Sequence, residues 1–179
     1  MKILLVIPHY NQLATLRGVV QKVLAQTPHV AVFDDGSDVS PKETLQGLPV
    51  TLVRCEKNRG KGVMVTEAAR WAKQHGFTHL VTLDADGQLD PREYPLFEAA
   101  AKQHPQALII GVRRFGADAP KSSRFGRKFG GFWVRFQTGK TVQDIQSGYR
   151  CYPVDLLTNL KCFSKRYAFE VEIAVRALW

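Results

Sequence analysis

Three apolar runs in this chain stop at polar residues that folding alone does not require. KILLVI (2–7) ends at Pro8-His9-Tyr10-Asn11, HVAVF (29–33) at Asp34-Asp35-Gly36-Ser37, and HLVTL (79–83) at Asp84-Ala85-Asp86-Gly87-Gln88. Between them lie helical patterns. Leu13, Leu16, Val19, Val20, Val23 and Leu24 follow helical spacing. The run GKGVMVTEAARWAKQHG closes at Gly76, as a helix end does. VTLVRC and ALIIGVR read as two further strands, and Asp90-Pro91 as an N-cap followed by proline at the first helical position. This βαβαβ rhythm specifies a doubly covered α/β fold: a mostly parallel sheet with helices on both faces. In such sheets ligands bind beyond the carboxyl ends of the strands. The three polar clusters are therefore expected to converge on one edge.

Composition narrows the partners. The chain has 179 residues, 45% of them hydrophobic, which suits one globular domain with a sizeable core. The net charge of +9 calls for anionic partners: nucleic acid, phosphorylated small molecules or a membrane surface. Most of that excess sits in residues 113–140, where eight Lys or Arg face one acid, Asp118, amid Phe115, Phe125, Phe129, Phe132, Trp133 and Phe136. Three scattered cysteines make neither a disulfide framework nor a zinc site, and point to a reducing, cytoplasmic setting. The five-residue run ILLVI is too short for a signal peptide. No stretch reaches the roughly 18 apolar residues of a membrane span. Membrane contact is thus expected to be peripheral, at the cytoplasmic face of the inner or plasma membrane, or made by a segment not in this sequence. The closing YAFEVEIAVRALW reads as a helix without a stop signal, so truncation is expected there.

The acid clusters carry chemistry. Alternate residues of an extended strand end face one side. Asp84, Asp86 and Gln88 thus offer three oxygens to a hard divalent cation, Mg²⁺ or Mn²⁺. Such an ion neutralises a leaving diphosphate. The same residues also read as a solvated Asp-Gly turn before an N-cap. Asp34 and Asp35 can accept from a base ring N–H or a ribose hydroxyl, or simply shape a βα turn. NRGKG (58–62) approaches a helix N-terminus, where backbone N–H groups and Lys61 suit a phosphate, but it lacks P-loop and dinucleotide spacing. In QDIQSGYR (143–150), Asp144 is a candidate general base or part of an ordinary turn. Residues 121–136 read as an amphipathic interface segment, with aromatics entering lipid and basic groups meeting headgroups. The alternative is half core and half solvated charge. The glycines of that segment suit a mobile flap.

Taken in order, Pro8-x-Tyr10-Asn11, Asp34-Asp35-Gly36-Ser37, Asn58-Arg59-Gly60-Lys61-Gly62, Asp84-Ala85-Asp86-Gly87-Gln88, Gln146-Ser147-Gly148-Tyr149-Arg150 and Phe169-Glu170-Val171-Glu172 resemble the family 2 glycosyltransferases. Within them the chain is most similar to the dolichyl- or polyprenyl-phosphate mannose synthase-like branch. The resemblance spans nearly all of residues 1–179 and implies a single catalytic domain of GT-A fold. It also implies a nucleotide-diphosphate sugar donor (GDP- or UDP-linked), a divalent metal and inversion at the anomeric carbon. By position, Pro8, Tyr10, Asn11 and Asp35 would hold the nucleoside, with Asp34 and Lys61 close by. Asp84, Ala85 and Asp86 would hold the metal–diphosphate, with Gln88 as a further metal ligand. Asp144 and Asp86 would be the catalytic acids. If the acceptor is already a phosphate anion, no base is required and Asp144 would orient the acceptor or touch the metal. Arg124, Arg127 and Arg150 are candidates for an acceptor phosphate, since guanidinium forks fit its oxygens.

Two other functions fit parts of the pattern. A sugar nucleotidyltransferase shares the α/β plan, but usually has a glycine-rich basic loop where Pro8-His9-Tyr10-Asn11 stands. A non-catalytic nucleotide- or nucleic-acid-binding module would use the +9. Nucleic acid is disfavoured as a partner, because the basic stretch adjoins acid-ended strands that repel its backbone.

Overall fold

The structure, a computed structural model, describes residues 1–113, 131–164 and 168–179. Its centre is β1 (Ile3–His9), β2 (Val30–Asp34), β3 (Thr51–Arg54) and β4 (His79–Thr82), joined by α1 (Leu13–Leu24) after β1 and α2 (Lys61–Gln74) after β3. The ladders β1–β2, β2–β3 and β1–β4 are parallel, as βα alternation requires. Alternation along β1 then sorts the core into two layers. Ile3, Leu5 and Ile7 face α1 and α3 (Tyr94–Gln103), while Leu4 and Val6 face α2, α5 (Val154–Asn159) and α6 (Ala168–Leu178). Asp90 caps the turn before α3 by accepting from the Arg92 N–H at 3.0 Å.

The sheet differs from the sequence reading on one side. Its order is β3-β2-β1-β4-β6-β5, and both β5 (Ile109–Ile110) and β6 (Arg150–Pro153) run antiparallel to their neighbours. The segment from Gln143 reads as a turn because of its Ser-Gly pair and its arginine. Residues 143–149 are turn and irregular backbone, but Arg150 then opens an interior strand, every residue of which is buried. ALIIGVR contributes only a two-residue strand. Helix α4, residues 131–138, follows the undescribed part of the basic stretch. It buries Val134 and exposes Phe132 and Phe136.

Close packing of α6 on α2 depends on Gly62. A Cβ there would lie 2.7 Å from both Cβ and Cγ of Phe169, which is 1% exposed. Gly62→Ala is expected to destabilise the protein by about 1–3 kcal/mol, as overpacking does, read as a lower urea midpoint at unchanged m-value.

Glu172 secures the chain ahead of α6 by accepting from the N–H groups of Ser164 at 2.7 Å and Phe163 at 3.0 Å, and from Arg176 Nε at 2.8 Å. Burial would raise its pKa, but these donors outweigh it and hold the carboxyl at about 2 against an ordinary 4.5. A depressed carboxyl stabilises the fold above its unfolded value and loses that contribution as pH falls through the folded one. Glu172→Gln is therefore expected to lower the melting temperature at pH 7. The gap to the unsubstituted protein should close as pH falls from 4.5 toward 2.

Candidate functional site

Strands β1, β2 and β4 end around one cavity of about 610 Å³. Pro8, His9, Tyr10 and Gln12 enter from the end of β1, and Asp35 from the turn after β2. Asn58, Gly60, Lys61 and Met64 come from the approach and first turn of α2, and Asp84, Ala85 and Asp86 from the turn after β4. Of the residues expected from sequence, Pro8, Tyr10, Asp35, Lys61, Asp84, Ala85 and Asp86 thus meet here. His9, Gln12, Asn58 and Met64 are additions.

Asp34 and Asp35 are neighbours with different work. Asp34 is fully buried and does not line the cavity. Its Oδ1 accepts from His9 Nδ1 at 2.7 Å and from the Ser37 hydroxyl at 2.5 Å, and its Oδ2 lies 3.2 Å from Arg54 Nη1. His9 Nε2 accepts the Gln12 N–H at 3.3 Å, so both ring nitrogens are engaged and Nδ1 carries the proton. Asp34 is therefore a clamp joining β1, β2 and β3, which corrects its expected place beside a ligand. Asp35 borders the cavity, and its two oxygens accept the N–H groups of Arg59 and Gly60, each at 2.7 Å. It thereby fixes the glycine-rich approach to α2. Asn11 is also displaced from the expected set. At φ 52° it exchanges two hydrogen bonds with Asp38.

The acids after β4 are the most open. Asp84 Oδ1 lies 2.6 Å from Lys61 Nζ, and the same ammonium lies 2.9 Å from Glu170 Oε1. Burial would lower the Lys61 pKa, but Asp84 and Glu170 outweigh it and hold the ammonium well above its ordinary value. Gly148 backs the Asp84 carboxylate so closely that any side chain there would collide with it. The Gly148 carbonyl accepts the Thr82 hydroxyl at 2.9 Å, tying that backing to β4. Asp86 Oδ1 accepts the Gln88 N–H at 2.9 Å. This turn corrects the expected metal ligand Gln88. Strand pairing of β4 stops at Thr82 and Gly87 has φ 77°, so alternation does not extend to Gln88, which is exposed and outside the cavity lining.

Two further expectations change. Asp144 is fully buried, and Arg113 meets it through its backbone N–H at 3.1 Å, Nε at 2.9 Å and Nη2 at 2.9 Å. Asp144 raises the Arg113 pKa first by hydrogen bonding, and Asp84 and Asp86 add attraction from the cavity side. Both carboxylate oxygens of Asp144 thus hold the Arg113 guanidinium. Arg150 is also fully buried. It donates to the carbonyls of Ser147 at 2.8 Å, Glu170 at 2.8 Å and Ile145, so its fork is filled by backbone and not offered to an acceptor phosphate. Arg124 and Arg127 lie outside the described residues.

Glu170 is the residue that sequence reasoning left without a role. Its only signal was membership of Phe169-Glu170-Val171-Glu172, some 86 positions after Asp84. Among the described residues no three His, Cys, Asp or Glu group as a metal cluster, and no helix is long and apolar enough to cross a membrane.

Comparison with known proteins places this arrangement. A family model described as glycosyl transferase family 2 matches residues 4–159. An undecaprenyl-phosphate mannosyltransferase of Micrococcus luteus is 28% identical over 98% of this chain and 77% of its own length. A polyprenol monophosphomannose synthase of Mycolicibacterium smegmatis is 27% identical over 98% of this chain and 71% of its own. Among solved structures, glucosyl-3-phosphoglycerate synthase from Mycobacterium tuberculosis, in complex with Mn²⁺, UDP-glucose and phosphoglyceric acid, superposes with a TM-score of 0.78 at 19% identity. That likeness covers 97% of this chain, which spans 64% of the solved one.

The Asp34 clamp gives a test of the division between its two acids. Asp34→Ala leaves buried partners unpaired and is expected to cost about 3 kcal/mol or more of unfolding free energy, measured in urea.

Proposed function

The chain belongs to glycosyl transferase family 2 and has the GT-A fold, and we propose that it moves a sugar from a nucleotide-diphosphate donor to a polyprenyl phosphate at a membrane face, with inversion. The observation that carries this is the convergence of Asp35, Lys61, Asp84 and Asp86 on the one cavity beyond the parallel strands. The names of the two relatives, both concerned with polyprenyl phosphate and mannose, support the acceptor class.

The cavity residues divide the donor between them. Pro8, Tyr10 and Asp35 form the nucleoside end, with Tyr10 45% exposed and free to lie on a base. Asp84, Asp86 and Lys61 form the diphosphate end. Two carboxylates opening on a cavity fit a hard cation, so Asp84 and Asp86 would hold Mg²⁺ or Mn²⁺ without Gln88. The ion supplies charge neutralisation to the departing diphosphate. In the displacement, an acceptor phosphate oxygen forms the new bond to the anomeric carbon. The bond from that carbon to the diphosphate breaks, and its electron pair leaves with the diphosphate. A phosphate nucleophile is already anionic and carries no proton to remove. A base is therefore not needed, which agrees with Asp144 being enclosed by Arg113. Arg113 is held by Asp144, with Asp84 and Asp86 adding to the attraction on its guanidinium.

The apolar part of such an acceptor has a matching surface. Phe132, Trp133 and Phe136 of α4 are 62%, 42% and 73% exposed and pack against one another. A second cavity of about 580 Å³, bordered by Val112, Phe132, Arg135 and Val142, adjoins them. Aromatics beside basic groups suit a bilayer surface. The setting we propose is the cytoplasmic face of the membrane, by peripheral contact.

Titration calorimetry with UDP- and GDP-sugars, in Mn²⁺ and then in EDTA, tests the donor site. One nucleotide class is expected to bind with Mn²⁺ only, at least tenfold more weakly in Asp86→Ala, as loss of a charged ligand implies. Binding of neither by the folded protein would overturn the proposal.

A further inference from the structure

Lys61 Nζ bridges two carboxylates that differ in access. Asp84, at 2.6 Å, has 31% of its side chain exposed to the cavity, whereas Glu170, at 2.9 Å, has only 6%. The closed partner is held in place on several sides. The Glu170 carbonyl accepts from the buried Arg150 at 2.8 Å, and its neighbour Phe169 packs flush on Gly62, next to Lys61 in α2. Glu170 Oε2 is buried and has no hydrogen-bond partner among the described residues. An anion so enclosed keeps its hold on a cation, because losing it would leave a bare buried charge. The open anion, Asp84, gives up its hold more cheaply, since water and an incoming ion can replace it.

We propose that Lys61 is the resident counter-ion of Asp84, exchanged for a divalent cation when donor binds, and that Glu170 is the positioning residue that keeps Lys61 in the site after the exchange. This rests on the metal–diphosphate reading of the cavity. An ammonium carries three donor hydrogens, two of which are engaged by Asp84 and Glu170. Exchange at Asp84 frees one of them beside the diphosphate, while Glu170 retains the other. Lys61 therefore competes with the metal when no nucleotide is present and cooperates with it once a diphosphate arrives. Metal and nucleoside diphosphate must then raise each other's affinity by the same factor. Glu170 touches neither ligand; it acts through Lys61.

Mn²⁺ binding, followed by the loss of the free-ion EPR signal, tests this on the whole chain with and without GDP or UDP. Asp86→Asn controls for the metal site, and circular dichroism for folding. Lys61→Met is expected to bind Mn²⁺ alone about tenfold more tightly, because a competing unit charge is gone. It is also expected to lose most of the enhancement by nucleotide. Glu170→Gln is expected to bind Mn²⁺ alone about threefold more weakly, because Lys61 then rests wholly on Asp84. The double variant should match Lys61→Met, since Glu170 acts only through the lysine. Lys61→Gln, which keeps a hydrogen-bonding head, serves if the methionine variant does not fold.

Unchanged or weaker Mn²⁺ binding in both Lys61 variants, with wild-type binding still lost in Asp86→Asn, overturns the exchange and leaves the metal reading standing. A Glu170→Gln effect of the same size in the double variant overturns the positioning role. Absence of Mn²⁺ binding in the wild-type protein overturns the metal reading and this inference together.

Discussion

Carboxylates gathered at the end of a sheet must each find a positive partner, and the arrangement of this protein follows from how that is done. Two parallel strands, β2 and β4, deliver Asp34, Asp35 and Asp84 to one edge. Asp34 is satisfied inside the fold by hydrogen bonds from His9 and Ser37 and by the charge of Arg54. Asp35 is satisfied by two backbone N–H groups and so sets the path into α2. Asp84 is met by Lys61, the first residue of that helix. Once Asp35 has fixed Arg59 and Gly60, Lys61 has little choice of position. The electrostatic solution at β2 therefore aims the counter-ion used at β4.

This ordering separates charges that build the site from charges that can act in it. A buried ion pair is costly to break and adds little net stability over an apolar replacement. The enclosed His9–Asp34 hydrogen bond and the Arg113–Asp144 ion pair hold the strand ends and the edge after β5 in register with one another. Asp84 and Asp86 face the cavity with incomplete partners, which is the condition for taking a ligand. In the proposed function, a divalent cation arriving with the nucleotide diphosphate would supply the positive charge that Asp84 and Asp86 lack.

The sequence made the parallel half of the sheet legible because its signals are local. Apolar runs, helical spacing, Gly76 and Asp90-Pro91 each act within a few residues, and β1, α2 and the Asp90-capped turn ahead of α3 lie where those signals put them. The same locality brought seven of the expected residues to the cavity. What it missed depends on distant partners. Arg150 reads as a candidate for an acceptor phosphate, yet it is buried because three carbonyls from residues 145–170 converge on it. Asp34 and Asp35 look equivalent until Arg54 and the Arg59–Gly60 backbone claim one each. Gln88 fails for a local reason: alternation was carried past Gly87, where the backbone turns. Glu170 became visible only when α6 was packed on α2.

Arg150 ties these levels together. Its guanidinium joins the Ser147 carbonyl, next to the Gly148 that backs Asp84, to the Glu170 carbonyl on α6. One buried side chain thus sets the spacing between the open and the closed anion that share Lys61. A fully buried cation held by carbonyls, with no carboxylate partner among the described residues, is an expensive way to stabilise a fold. It makes sense where the distance between two carboxylates has to be kept while the cation between them changes partner. A sheet edge built only from strand ends would not fix that distance, because Asp84 and Glu170 belong to different layers. The antiparallel strand β6, which carries Arg150, brings those layers into one frame.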